Sequence, residues 1–205
     1  KLNNPNHRRP DALSSFERSL EALGLEALDL FLVHWPLAAS PGLSLVETWE
    51  TMIEILAGGR VRAIGVSNYQ PEHLHRIVEA TGVVPAVNQI ELHPTWQQRE
   101  VVAYCKEHGI AVEAYSPMAR GADLNAGNGA IERIAEAHHV SPAQVILRWH
   151  IENGTIIIPK SVHAQRQREN LDLFGFALTQ EEHAVIDALD GPTRAGHDPL
   201  TFTYA

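Results

Sequence analysis

The chain lacks most of what would staple it, anchor it or load it with metal. Cysteine occurs once in 205 residues, as Cys105. That excludes an internal disulfide framework and suits a reducing, cytoplasmic setting. In the helical-looking Ala103-Tyr104-Cys105-Lys106-Glu107 the thiol reads as a small buried residue rather than a nucleophile. No apolar run approaches the ~20 residues that span a bilayer, and no leader pattern is visible, so no membrane partner is expected. The twelve histidines are scattered, with neither His-Glu-x-x-His nor Cys-x-x-Cys spacing, so no metal is expected. His138-His139 reads as the capped C-terminus of a helix. A net charge of -9 argues against nucleic-acid or anionic-surface partners. No Gly-x-Gly-x-x-Gly follows any strand-like run, which weakens a dinucleotide fold of the Rossmann kind.

What is present is an alternation. Hydrophobic residues make up 44% and charged residues 20%, ordinary for one globular domain, here residues 1–205. Apolar runs at Leu28–Val33, Val61–Val66, Ala86–Ile90, Ile110–Tyr115 and Thr155–Ile158 predict strands. Between and around them, helical spacing predicts helices over Asp11–Leu23, Leu45–Ala57, Pro71–Ala80, Gln97–His108, Gly129–His138, Pro142–Glu152, Ala164–Leu171 and Gln180–Leu189. Ser141 and Thr179 are predicted N-caps, Thr179 with Glu182 at the capping-box position. Buried strands alternating with helices imply a parallel sheet.

Polar residues stand at the same end of the strands: His34, Ser67-Asn68, Gln89, Ser116, Lys160-Ser161. That pattern marks the active face of an α/β, (β/α)8 TIM barrel. Five strand–helix units fall short of eight, and ~250 residues are typical. The barrel is therefore expected to be N-terminally incomplete here, with further residues before Lys1 or with association covering open strand edges. At Thr155–Ile158 a strand expected to be buried runs into Lys160, Ser161 and, on the next helix, Arg166. Cations, a hydroxyl and a helix start are the equipment of a phosphate site.

Five ordered motifs carry a resemblance. They are Lys1-Leu2, Asp29-Leu30-Phe31-Leu32-Val33-His34-Trp35-Pro36, Gly65-Val66-Ser67-Asn68, Val87-Asn88-Gln89-Ile90-Glu91-Leu92-His93-Pro94 and Ile158-Pro159-Lys160-Ser161-Val162. In that order the chain resembles the aldo-keto reductases, closest to the prokaryotic 2,5-diketo-D-gluconate reductase group. The resemblance implies an NADPH-dependent oxidoreductase that reduces small aldehydes, ketones or keto sugars, working as a monomer when full length. It puts the family's catalytic Lys on Lys1 and its His on His34. The family's Asp and Tyr have no counterpart in residues 1–205.

Cofactor positions follow one at a time from the same resemblance. Ser67, Asn68 and Gln89 match residues that hydrogen-bond the nicotinamide carboxamide, and Tyr115 the ring that stacks on it. Ser116, Pro117 and Met118 match the pyrophosphate loop, which Arg120 and Gly121 continue. Lys160, Ser161, Val162 and Arg166 match the pocket for the adenosine 2′-phosphate, and Glu169 and Asn170 the adenine contacts. His163 departs from the family pattern. Trp35 is expected to line the substrate pocket, with a core aromatic as the alternative. Asn3 replaces a family Trp, which implies a more polar wall. The segment 191–205, with Arg194, His197, Phe202 and Tyr204, resembles the variable loop that shapes the substrate site. Asn88, Glu91 and His93 are expected to be packing residues. The competing reading is a non-catalytic NADP(H)-binding or interaction protein, since the family's Asp and Tyr are missing from these residues.

Overall fold

The computed structural model describes residues 1–203; the expectation placed on Tyr204 lies outside the described residues. The chain divides into two compact units.

The first comprises Lys1–Gln89, Glu100–Ala111 and the residues from His197. A 3-10 turn at Asn4–Asn6 leads into α1 (Arg9–Leu23), β1 (Leu28–Val33), α2 (Leu45–Ala57), β2 (Val61–Ser67), α3 (Pro71–Thr81), the start of β3 (Val87–Glu91) and nearly all of α4 (Arg99–Glu107). β1 and β2 run parallel, from Leu28 opposite Val61 to Val33 opposite Val66. β2 and β3 are parallel at Val66–Asn88 and Ser67–Gln89. Their approach depends on Gly65, where a Cβ would lie 2.6 Å from the Val87 carbonyl oxygen and 2.7 Å from Leu32 Cδ2. Phe31, Trp49, Met52, Leu74 and Ile77 are buried to 1% exposure or less. Trp49 also donates its indole N–H to the Val83 carbonyl at 3.1 Å, so its polar edge is satisfied.

Cys105 is wholly buried beside Asn88, and burial pushes its thiol up to about 11. It is the inert small residue expected. Asn88 packs as expected too, donating to the Tyr69 carbonyl and accepting from the Tyr69 N–H. α4 begins two residues later than expected. Gln98 sits at φ 44°, a left-handed conformation that a helix cannot continue through.

The second unit comprises Ile90–Arg99 and Val112–Gly196. It holds most of β4 (Ala111–Tyr115), a 3-10 turn (Ala119–Asn125), α5 (Ala126–His138), α6 (Pro142–Glu152), β5 (Ile156–Ile157), α7 (Ala164–Glu169) and α8 (Gln180–Asp187). β4 and β5 are parallel, Glu113 opposite Ile156 and Ala114 opposite Ile157. Ile131, Ile134, Val145, Ile146, Trp149 and Ile186 form the core between α5, α6 and α8. Both predicted N-caps are made: Thr179 forms the expected capping box with Glu182, and Ser141 forms one with Gln144 that was not expected. At the end of α5, His139 closes the helix at φ 57°, while the His138 ring bonds Glu182 at 2.9 Å rather than capping its own carbonyls.

The expectation of a buried strand at Thr155–Ile158 is corrected. Only Ile156–Ile157 are paired, and Ile156 and Ile158 are 46% and 43% exposed. The two lie two residues apart, on one face of an extended chain, and that face is the open one. Pro159 follows without an N–H to extend the ladder.

Candidate active site

In the first unit, the carboxyl ends of the strands deliver polar residues into one hydrogen-bonded network. Leu2 N–H donates to the Leu32 carbonyl at 2.7 Å and His34 N–H to the Leu2 carbonyl at 3.1 Å, which lays Lys1 alongside the end of β1. The Lys1 ammonium donates to Gln89 Oε1. The Ser67 hydroxyl donates to the Gln89 carbonyl at 2.8 Å, and Asn68 Nδ2 to Ser67 Oγ at 3.2 Å and to the His34 carbonyl at 3.1 Å. Asn68 holds φ 63°, a conformation asparagine adopts more readily than most residues. Lys1, His34, Ser67, Asn68 and Gln89, five residues chosen from sequence, thus belong to one cluster. Ser67 is fully buried, so it supports Gln89 and Asn68 from beneath.

Burial first, and the Lys1 charge second, hold His34 below the ordinary imidazole range. The ring is neutral at neutral pH and offers one donor and one acceptor nitrogen. Trp35 is 8% exposed, packed edge-on to His197 at 6.1 Å and against Phe202 at 4.6 Å between ring centroids. Asn3 is exposed, and its carboxamide oxygen accepts from Asn4 N–H and caps the first turn.

In the second unit a cleft of about 580 Å³ opens at the ends of β4 and β5. Ser116, Pro117, Met118, Arg120 and Gly121 form one wall, and Lys160, Ser161, Arg166, Glu169 and Asn170 another. Val162 is 72% exposed and lines instead a shallow outer depression with His163 and Arg166, so it is not brought to the cleft. The donor set of the second wall (two cations, a hydroxyl and an amide), faced by Arg120 on the first, suits a phosphate-bearing nucleotide. Tyr115 ends β4; burial, then the charge of Glu91, push its phenol far above the ordinary value, so it stays protonated.

The cleft's first wall is a tight backbone turn. Ser116, Ala119 and Arg120 have φ of 49°, 48° and 57°, and Gly121 99°. Each non-glycine residue held this way costs about 1–3 kcal/mol and persists only where its surroundings enforce it. Two groups do. Fully buried His150 on α6 donates Nε2–H to the Pro117 carbonyl at 3.0 Å, with burial holding the ring down to about 4 and so neutral. Asp123 is gripped by Thr95, through N–H at 3.0 Å and hydroxyl at 2.8 Å, and by His93 Nδ1 at 3.0 Å.

His93 continues to Glu91, Nε2 to Oε1 at 3.1 Å. Glu91 and His93, expected to be packing, are buried as expected but form a charged chain with Asp123, a residue the sequence reading passed over. Glu91 and His93 stood out as ionisable residues in the apolar run from Val87 to Pro94, where an ion is held only by partners, but nothing in the sequence around Asp123 marked it. Burial alone would push His93 down, but the hydrogen bonds to Asp123 and Glu91 outweigh it and raise the imidazolium to about 9. Burial would raise both carboxylates; hydrogen bonds from His93 and from backbone N–H groups hold them below their ordinary values instead.

The model of the aldo/keto reductase family matches residues 1–191. The chain belongs to the aldo-keto reductases. Methylglyoxal reductase DkgA of Escherichia coli (strain K12) is 42% identical over 203 residues, covering 98% of this chain and 72% of that protein. An aldo-keto reductase of Mycobacterium sp. (strain KMS) is 44% identical over 94% of this chain and 68% of its own length. A crystal structure of a Gox0644 variant in complex with NADPH superposes with a TM-score of 0.94 at 45% identity, over 99% of this chain and 74% of that one. This aldo-keto reductase accordingly has the α/β, TIM-barrel type of fold and is an NADPH-dependent oxidoreductase acting on carbonyl groups. Among its described residues no helix is long and apolar enough to cross a membrane.

Proposed function

We propose that this aldo-keto reductase reduces small reactive aldehydes, with methylglyoxal-like α-oxoaldehydes first and keto sugars of the 2,5-diketo-D-gluconate kind second. The observation that carries the reading is the cleft lined by both Lys160, Ser161 and Arg166 and the Ser116–Gly121 turn. The name of the relative methylglyoxal reductase supports the substrate class. NADPH, when bound, supplies the hydride.

In the second unit Lys160 and Arg166 would hold the 2′-phosphate by charge and fork geometry, with Ser161 adding a hydroxyl. Glu169 and Asn170 would bind the adenine, and the turn from Ser116 through Met118 would carry the pyrophosphate on its backbone. In the first unit Asn68 and Gln89 would hold a carboxamide, with Ser67 fixing both. His34, neutral at neutral pH, orients the carbonyl oxygen and stabilises the charge that develops there as the carbonyl is reduced. The Lys1 ammonium, fixed by Gln89, lowers the pKa of the group that delivers the proton. Trp35 walls the substrate side.

The test is loss of NADPH absorbance on adding methylglyoxal to the full-length protein, beside a keto sugar and an unreactive alcohol. Consumption with the aldehyde supports the reading; no consumption with either carbonyl substrate refutes it.

A further inference from the structure

The charged chain in the second unit sits where it can do more than fill space. Its two carboxylates reach in different directions. Asp123 belongs to the turn that walls the nucleotide cleft. Glu91, at the end of β3, accepts the backbone N–H of Ala195 at 2.6 Å and of Gly196 at 2.9 Å, roughly a hundred residues away in sequence. His93 stands between the two with a ring nitrogen facing each. Only the doubly protonated ring satisfies both carboxylates at once. The fit is close: a Cβ on Gly196 would lie 2.7 Å from Glu91 Oε2. Three backbone N–H groups and the Thr95 hydroxyl complete the shell around the carboxylates. A buried ion set with every partner in place is a rigid element, and a costly one to break.

We propose that Glu91, His93 and Asp123 are positioning residues, a latch that braces the left-handed turn of the nucleotide cleft against the backbone at Ala195–Gly196 and so sets how fast the nucleotide leaves. The inference rests on the proposed NADPH site. Asp123 fixes the turn at one end and His150 holds Pro117 at the other. Releasing Asp123 frees the strained residues between to relax away from the wall they form. That loosens a bound complex more than it hinders an encounter, so the effect falls on dissociation.

The ionisable groups around His93 are Glu91 on its own strand end, Asp123 on the turn and His150 on α6; Tyr115 faces Glu91, and Arg194 and Arg120 act in turn on Tyr115. A raised imidazolium contributes fully below its unfolded value of 6.5 and is lost as pH climbs through about 9. The latch therefore opens on the alkaline side.

The experiment is a stopped-flow chase of NADPH from the full-length protein, following its fluorescence, for wild type, Asp123→Asn, Glu91→Gln and the double variant. Dissociation should quicken about tenfold in Asp123→Asn, the order of one lost charged hydrogen bond. The double variant should be no faster than the faster single one, because both act through His93. The wild-type rate should climb through about pH 9, and that climb should vanish in Asp123→Asn. Gly196→Ala, which leaves all three ionisable residues in place, should quicken release several-fold even if a charge variant fails to fold. Variants with lowered melting temperature but unchanged release rates and pH profile overturn the latch and leave a structural ion pair. A wild-type protein that binds no NADPH sinks the proposed function and the latch together, whereas normal binding with unchanged Gly196→Ala release sinks the latch alone.

Discussion

Removing Lys160 and Arg166, the two cations of the second wall of the second unit's cleft, should separate one cofactor from the other. Lys160 and Arg166 both line the cleft, and both are exposed at its mouth. A hydrogen bond to a charged group contributes about 1.5–3 kcal/mol, and solvent screening at an exposed site places each of these at or below the lower end. Since 1.4 kcal/mol is tenfold in affinity, Arg166→Ala and Lys160→Ala should each weaken NADPH binding by roughly tenfold. The two share one phosphate, so the double variant should fall short of the product, roughly hundredfold. NADH carries a hydroxyl where NADPH carries the phosphate. Its affinity should shift by no more than about twofold, the usual range for a surface substitution. The assay is fluorescence titration of both nucleotides against wild type and each variant, with far-UV circular dichroism confirming the fold. If NADH weakens in step with NADPH, the cations serve the fold or another part of the nucleotide, and the phosphate assignment is wrong.

Other outcomes follow from particular contacts. His34→Ala should lower kcat/KM by about 10²–10³-fold, the range for losing a donor at a developing oxyanion, with NADPH affinity nearly unchanged in the same titration. Gly65→Ala places a methyl 2.6 Å from the Val87 carbonyl oxygen, and should destabilise the protein by about 1–3 kcal/mol or more, read from urea denaturation. Glu152 binds Arg148, His183 and the Leu178 N–H. Burial would raise its carboxyl, but these partners hold it below its ordinary 4.5. A depressed carboxyl contributes stability above 4.5 that is lost as pH falls through the lower folded value. Glu152→Gln should therefore be less stable than wild type at neutral pH and lose less on acidification, as pH-dependent melts would show.

The strands and their polar ends were legible because apolar runs stop abruptly at His34, Ser67, Ser116 and Lys160. The N-caps at Ser141 and Thr179, and the box Thr179 makes with Glu182, were legible because they are local, the cap and its partner being three residues apart. The second unit's cleft was foreshadowed by two separate stretches, 116–121 and 160–170, that resemblance linked and spacing alone did not. What escaped was non-local or conformational. Asp123 and His93 meet across thirty residues, and no periodicity pairs them. The left-handed turn at Ser116–Gly121 is carried mostly by residues other than glycine, which give no sequence cue for positive φ. β5 looked buried because Ile156-Ile157-Ile158 is apolar throughout, yet side-chain alternation turns Ile156 and Ile158 to solvent.

Hydride transfer is the central claim, and an isotope label reads it most directly. The full-length protein is incubated with methylglyoxal and NADPH carrying deuterium at the transferable position of the nicotinamide, and the product is weighed by mass spectrometry. The account predicts an alcohol enriched by one deuterium for each labelled hydride consumed, with much slower product formation from NADH. Alcohol formed without the label, or nucleotide bound with no carbonyl reduced, would contradict it.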